Sequence, residues 1–143
     1  MRCYGAGRGV TNLPTSVRGP NLYGIASRPI YLVETGIFNT TTSAFAVAVV
    51  RASAAGTPAG AVTETSEDSE VTPVGVVNTS HSADATVGGP FNQASIGAAI
   101  GAGVIWTYGG RGLRAPAGTA NGFVLNLPTG TGQFFDFYFA WDE

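Results

Sequence analysis

The chain has 143 residues, room for one domain with a substantial core and too few for two comfortable ones. Charged residues make up only 11%, well under the usual proportion, and a net charge of −2 excludes a general nucleic-acid binder, which needs a basic face. One cysteine, Cys3, excludes an intramolecular disulfide, and one Cys with one His closes off a zinc site built within a single chain.

Taken in order, residues 1–27 differ from the rest: Gly, Pro, Arg and Asn interrupt every apolar pair, which predicts an extended N-terminal arm. Within it Arg8, Arg18, Leu22 and Tyr23 are the candidates for contact with a partner. The first residues, MRCYGAGRGV, lack an apolar core of signal-peptide length. From residue 28 the pattern becomes that of a domain, 28–143. A strand is predicted over 28–38 (RPIYLVETGIF), with Pro29 at its start, where a missing donor is tolerated. Turn chemistry follows at 39–43 (NTTTS), then a second strand over 44–52 (AFAVAVVRA). It places Phe45, Val47 and Val49 on one face and small alanines on the other, a face that permits close approach of another layer. The two strands make a plausible antiparallel pair.

A loop is expected at 54–60, a short edge strand at 61–65 and an acidic turn at 66–70 (SEDSE). Strands are expected over 71–79 and 82–87, with a turn at 88–93 (GGPFNQ). Residues 94–103 have partly helical spacing, but three glycines each lower helix propensity by about 1 kcal/mol relative to Ala, so extended structure is preferred there. VIWTY at 104–108 is a clear strand, broken by Gly109 and Gly110. The chain closes on a predicted hairpin: Phe123, Leu125 and Leu127 alternate, 128–132 turn, and an aromatic strand returns. Phe135, Phe137, Phe139 and Trp141 share one face of that strand and are expected in the core or at a subunit interface. The whole predicts an all-β fold, a single antiparallel β-sandwich or jelly-roll-like barrel carrying an arm.

Candidate chemistry is sparse. His81 has Ser80, Ser82 and Asp84 beside it, but sequence neighbours on a strand point to opposite faces, and G-x-S-x-G is absent. A surface-loop histidine is the expectation; three copies converging on a symmetry axis would be needed for a metal. Glu64, Glu67, Asp68 and Glu70 do not follow the spacing of an EF-hand loop and are read as a solvated acidic loop or as partners for arginines across an interface. The glycine runs at 97–103 and 109–112 fit no phosphate-binding loop. Trp106, Tyr108, Arg111 and Arg114 could form a sugar-stacking platform. No catalytic residue, cofactor, metal or membrane span is expected.

Every cation is Arg, with no Lys, which suits interface ion pairs and equally follows from GC-rich coding. A polar surface with little charge has weak electrostatic protection against self-association. Both point toward an assembly component.

The stretches 28-RPIYLVETG-36, 51-RASAAGTPAGAVT-63 and 114-RAPAGTANGFVLNLP-128 resemble a group of small β-rich structural proteins of tailed bacteriophages. The resemblance runs from residue 28 onward, excludes 1–27 and is interrupted in the Gly-rich 94–112 region. It implies a non-enzymatic virion component, with a capsid cement or decoration protein leading and a tail or fibre component as the alternative. Its implied partners are the major capsid protein and itself, as a homotrimer, on the outer surface of the phage head.

Overall fold

A computed structural model describes residues 1–11, 16–130 and 132–143. Twelve strands and no helix are found among them: β1 (Arg2–Val10), β2 (Asn21–Tyr23), β3 (Ile30–Asn39), β4 (Phe45–Ala54), β5 (Thr57–Ala61), β6 (Thr65–Ser66), β7 (Val76–Ala83), β8 (Thr86–Ile96), β9 (Gly103–Thr107), β10 (Leu113–Ala115), β11 (Gly122–Thr129) and β12 (Phe134–Asp142). They form two six-stranded antiparallel sheets. The first has the order β10-β3-β12-β1-β6, with β9 also pairing β3; the second has the order β5-β7-β2-β11-β4-β8. The all-β sandwich expected from the sequence is what the chain forms.

Inward residues of both sheets make one core. From the first sheet come Cys3, Ile30, Leu32, Ile37, Phe135, Phe137, Phe139 and Trp141, and from the second Leu22, Val47, Val49, Phe123 and Leu125. The aromatic row of β12 lies on the face that its alternation indicates, and all four rings are buried. Phe135, Phe137 and Phe139 stack in sequence, with ring centroids 6.4 and 5.8 Å apart.

The pairing corrects several expectations. Residues 1–27 do not form an arm: β1 is an interior strand between β12 and β6, and β2 lies between β7 and β11. Residues 12–15 of the expected arm lie outside the described residues. The physical reason is glycine. Gly5, Gly7 and Gly9 stand opposite Phe139, Phe137 and Phe135. They occupy the inward positions of β1, where a missing side chain leaves room for the rings. A Cβ at Gly9 would stand 2.5 Å from Phe135 Cζ, and one at Gly5 would stand 2.7 Å from Val77 Cγ2.

The closing hairpin is also corrected. β11 pairs β2 and β4 while β12 pairs β1 and β3, so the two strands belong to different sheets. Likewise β3 and β4 face each other across the core instead of pairing. Alternation reports that one face is buried, not which strand is the neighbour. The turn expected at 88–93 lies inside β8, the loop at 54–60 contains most of β5, and the strand expected over 71–79 begins only at Val76.

The alanine face of β4 does receive another layer. Tyr23, Ala48, Val50, Ala52, Ala85 and Val124 form a second buried cluster on the outside of the second sheet, closed by Val17, Ala55 and Val87. Backbone bonds from His81 N to Arg18 O and from Ala85 N to Val17 O hold the 16–18 segment there as a strap.

Candidate interaction surface

The residues singled out from sequence fall into three environments. Leu22 and Tyr23 are buried, so neither contacts a partner; Leu22 belongs to the main core and Tyr23 lies beneath the strap. Arg8 and Arg18 are spoken for within the chain. Arg8 Nε donates to Asp136 at 2.8 Å across β1 and β12, and Arg18 Nε to Asp84 at 2.6 Å. Arg2 makes the matching pair with Asp142, at 2.6 and 3.3 Å.

His81 is not a surface-loop residue. It lies on β7, 4% exposed, with its ring edge-on to Tyr23. Nδ1 lies 3.1 Å from Gly19 O, a carbonyl that can only accept. With Nδ1 donating to Gly19 O, Nε2 is the acceptor of the ring, and the Tyr23 hydroxyl lies 2.8 Å from it and 3.2 Å from Ala55 O. Asn21 completes the network, donating to Ser80 O at 3.1 Å and accepting from Asn78 at 3.0 Å. Burial pulls the His81 pKa below its ordinary value, against the opposing pull of the Gly19 and Arg18 backbone, and burial pushes Tyr23 up. Ser80, Ser82 and Asp84 bond elsewhere, to Ala59, Thr57 and Arg18, so no nucleophile stands at the ring. Its burial inside one subunit also removes it from any shared axis. The network fastens the strap to β2 and β7, a structural duty.

The proposed sugar platform is not assembled. Trp106 and Tyr108 turn inward and pack against the core, and the Tyr108 hydroxyl is buried without a hydrogen-bond partner. Burial pushes that phenol up to about 12. Arg111 and Arg114 stay outside. They flank Tyr31 instead: Arg114 stands opposite Tyr31 in the β10–β3 pairing, and Arg111 lines a shallow groove of about 330 Å³ with Tyr31, Gly110 and Asp142. Arg51 spans the mouth of the sandwich, its guanidinium 5.1 Å above Phe91 and bonded to Arg114 O at 2.8 Å.

Glu143 clamps the lower end. Its carboxylate accepts from Val74 N at 2.8 Å, Gly75 N at 2.9 Å and Trp141 Nε1 at 3.0 Å, closing the 72–75 loop over the core. Cys3 is buried nearby, and desolvation, reinforced by the Glu143 charge, pushes its thiol up to about 12, so it is an unreactive core residue. Among the described residues no group of three or more His, Cys, Asp or Glu side chains could hold a metal ion, and no helix is long and apolar enough to cross a membrane.

What the fold leaves open is the outer face of the first sheet. Its rows run Ile105–Gly36–Tyr138–Ala6 and Gly103–Phe38–Asp136–Arg8, with Phe134 beside Val10 at one end. Phe134 is 53% and Ile105 51% exposed. Tyr138 lies across Gly36 and donates to Glu34 at 2.6 Å. Burial, then the Glu34 carboxylate, push its pKa up. Exposed large apolar side chains, Ile105 on the edge strand β9 and Phe134 at the end of β12, together with Arg–carboxylate pairs are the composition of a protein interface. The edges, by contrast, are blunted: β5 carries Pro58, β8 carries Pro90, and β6, β9 and β10 are two, five and three residues long. The sequence offered no signal for this face, because it depends on which strands are neighbours.

No family model, no curated protein and no solved structure matches the chain.

Proposed function

We propose that the chain is a non-enzymatic virion structural protein, a cement or decoration protein that binds the outer surface of a tailed-phage head and stabilises it across capsomer junctions. The observation that carries this is the asymmetry of the sandwich. One outer face is covered by the strap, and the other is open, with Ile105 and Phe134 exposed on it and the Arg8–Asp136 and Arg2–Asp142 pairs lying between its central strands β1 and β12. The strand orders β1-β12-β3-β9 and β2-β11-β4-β8 are read as jelly-roll connectivity, an architecture shared by capsid and lectin domains.

The dimensions favour an oligomer. Three long strands, β1, β3 and β12, of nine, ten and nine residues and about 4.8 Å apart, give a face of roughly 450 Å², below the roughly 800 Å² per partner of a standard interface. Three linked copies would raise the contact through effective concentration, so the reading includes a homotrimer with the major capsid protein as its partner. Binding only the assembled shell, it would stabilise that state by mass action.

The test is to add purified protein to undecorated heads and to measure bound copies per shell and the heads' melting temperature. Saturation at a symmetry-determined number with a raised melting temperature supports the reading, and Phe134→Asp with Ile105→Asp should abolish both. No binding by the folded wild type would reject cementing and favour a tail, fibre or receptor-binding role.

A further inference from the structure

The order of the first sheet also sorts charge. At its lower end the strands run β10, β3, β12, β1, β6, and the outward residues run Arg114, Tyr31, Asp142, Arg2, then the loop that leaves β6. Asp142 is neutralised by Arg2. Among the described residues the Arg111 and Arg114 side chains have no ion-pair or hydrogen-bond partner, so the β10 side carries two cations beside the Tyr31 groove. On the opposite side, four strand spacings or about 19 Å away, Glu67, Asp68 and Glu70 are all exposed. Glu67 accepts from Tyr4 at 3.1 Å, and Arg28 lines the same hollow as Glu67 and Asp68, leaving the loop net acidic. The acidic side adds an exposed apolar residue, Val71.

Two complementary patches at the same height on opposite edges of one sheet cannot meet within a subunit. They are placed to meet between subunits related by rotation, the heterologous arrangement that closes into a ring. We propose that a second copy of this chain seats its 67–70 acidic loop against Arg111 and Arg114, at the groove lined by Tyr31, Gly110, Arg111 and the Arg2-paired Asp142, and that repetition of this contact closes the homo-oligomer with all open sheet faces on one side. This rests on the assembly described under Proposed function and names the contact within it. Arginine suits the role, because its fork binds carboxylates bidentately at little desolvation cost.

Sedimentation velocity over a concentration series tests it, on wild type, on Arg111→Glu with Arg114→Glu, on Glu67→Arg with Asp68→Arg and Glu70→Arg, and on the chain carrying all five changes. The wild type should be a closed oligomer that weakens with added salt. Each half-reversed variant should associate at least about tenfold more weakly, and the fully reversed chain should recover. Circular dichroism on each variant confirms folding, since all five positions are exposed. A monomeric wild type, or an oligomer indifferent to the reversals, would overturn the proposal. Head binding is measured separately: an oligomer that responds to the reversals but ignores heads would remove the capsid reading and leave this contact standing.

Discussion

Replacing Gly9 with Ala tests the claim that glycine, not disorder, explains the N-terminal composition. The added Cβ would lie 2.5 Å from Phe135 Cζ and 3.1 Å from Pro20 Cγ. Ordinary carbon contacts lie at about 3.5–4.0 Å, so the ring would have to move by about an ångström. Phe135 has nowhere to go: it is fully buried, with Phe45 at 5.6 Å and Phe137 at 6.4 Å between ring centroids. Overpacking of this kind costs about 1–3 kcal/mol, and the immobility of the ring argues for the upper half. With a urea m-value of about 2 kcal/mol/M, the unfolding midpoint should fall by about 1–1.5 M. Gly88, where an added Cβ meets nothing within 4 Å, is the control, and its Ala variant should lie within about 0.5 kcal/mol of wild type or above it. Combining Gly9→Ala with Phe135→Leu should recover at least about 1 kcal/mol of the sum of the single costs, because the smaller side chain vacates the contested space. A Gly9→Ala variant as stable as wild type, or additive costs in the double variant, would refute the close packing of β1 beneath the aromatic row.

Glu143→Gln should cost about 1.5–3 kcal/mol in urea unfolding, since a carboxylate accepting three N–H bonds is replaced by a single carbonyl oxygen. Proteolysis or hydrogen exchange should report the loss first at 72–75. The His81 pKa is lowered in the folded state, so its contribution is full above the unfolded value of about 6.5 and is lost as pH falls from there through the folded value. The wild type minus His81→Gln stability difference, measured from pH 8 to pH 5, should therefore shrink on acidification, and a difference independent of pH would contradict the buried neutral ring. Tyr108→Phe should leave the melting temperature unchanged or raise it, by up to the roughly 1–3 kcal/mol that an unsatisfied buried hydroxyl costs. A clear loss would mean that the hydroxyl has a partner.

Composition and period-two alternation made the fold class and the buried face of β12 readable, because both are local properties of the chain. The cover over the β4 alanines was readable for the same reason: small side chains on one face imply a layer close above it. Pairing was not. Phe123 to Trp141 alternates as a hairpin would, and only the positions of β1 and β3 beside β12, strands near the opposite end of the sequence, decide that the two strands part company. Glycine misled twice in opposite senses. In β1 it marks inward positions while its composition reads as irregular; at Gly88 and Gly89 it lies within a strand while its composition reads as a turn. Nothing in sequence connects Tyr31 to Arg111 and Arg114; the β10–β3 pairing places it opposite Arg114.

The partnership of β1 with β12 joins residues such as Arg2 and Asp142, 140 apart in sequence. During synthesis at about 5–20 residues per second, the first strand waits roughly 7 to 28 s for its partner to be made. A waiting strand with exposed apolar side chains is a template for misassembly. Here its inward positions after Cys3 are Gly5, Gly7 and Gly9, which offer a stray neighbour no apolar side chain to bury. The residues that make room for the rings in the finished sandwich thus keep the nascent chain inert until those rings arrive.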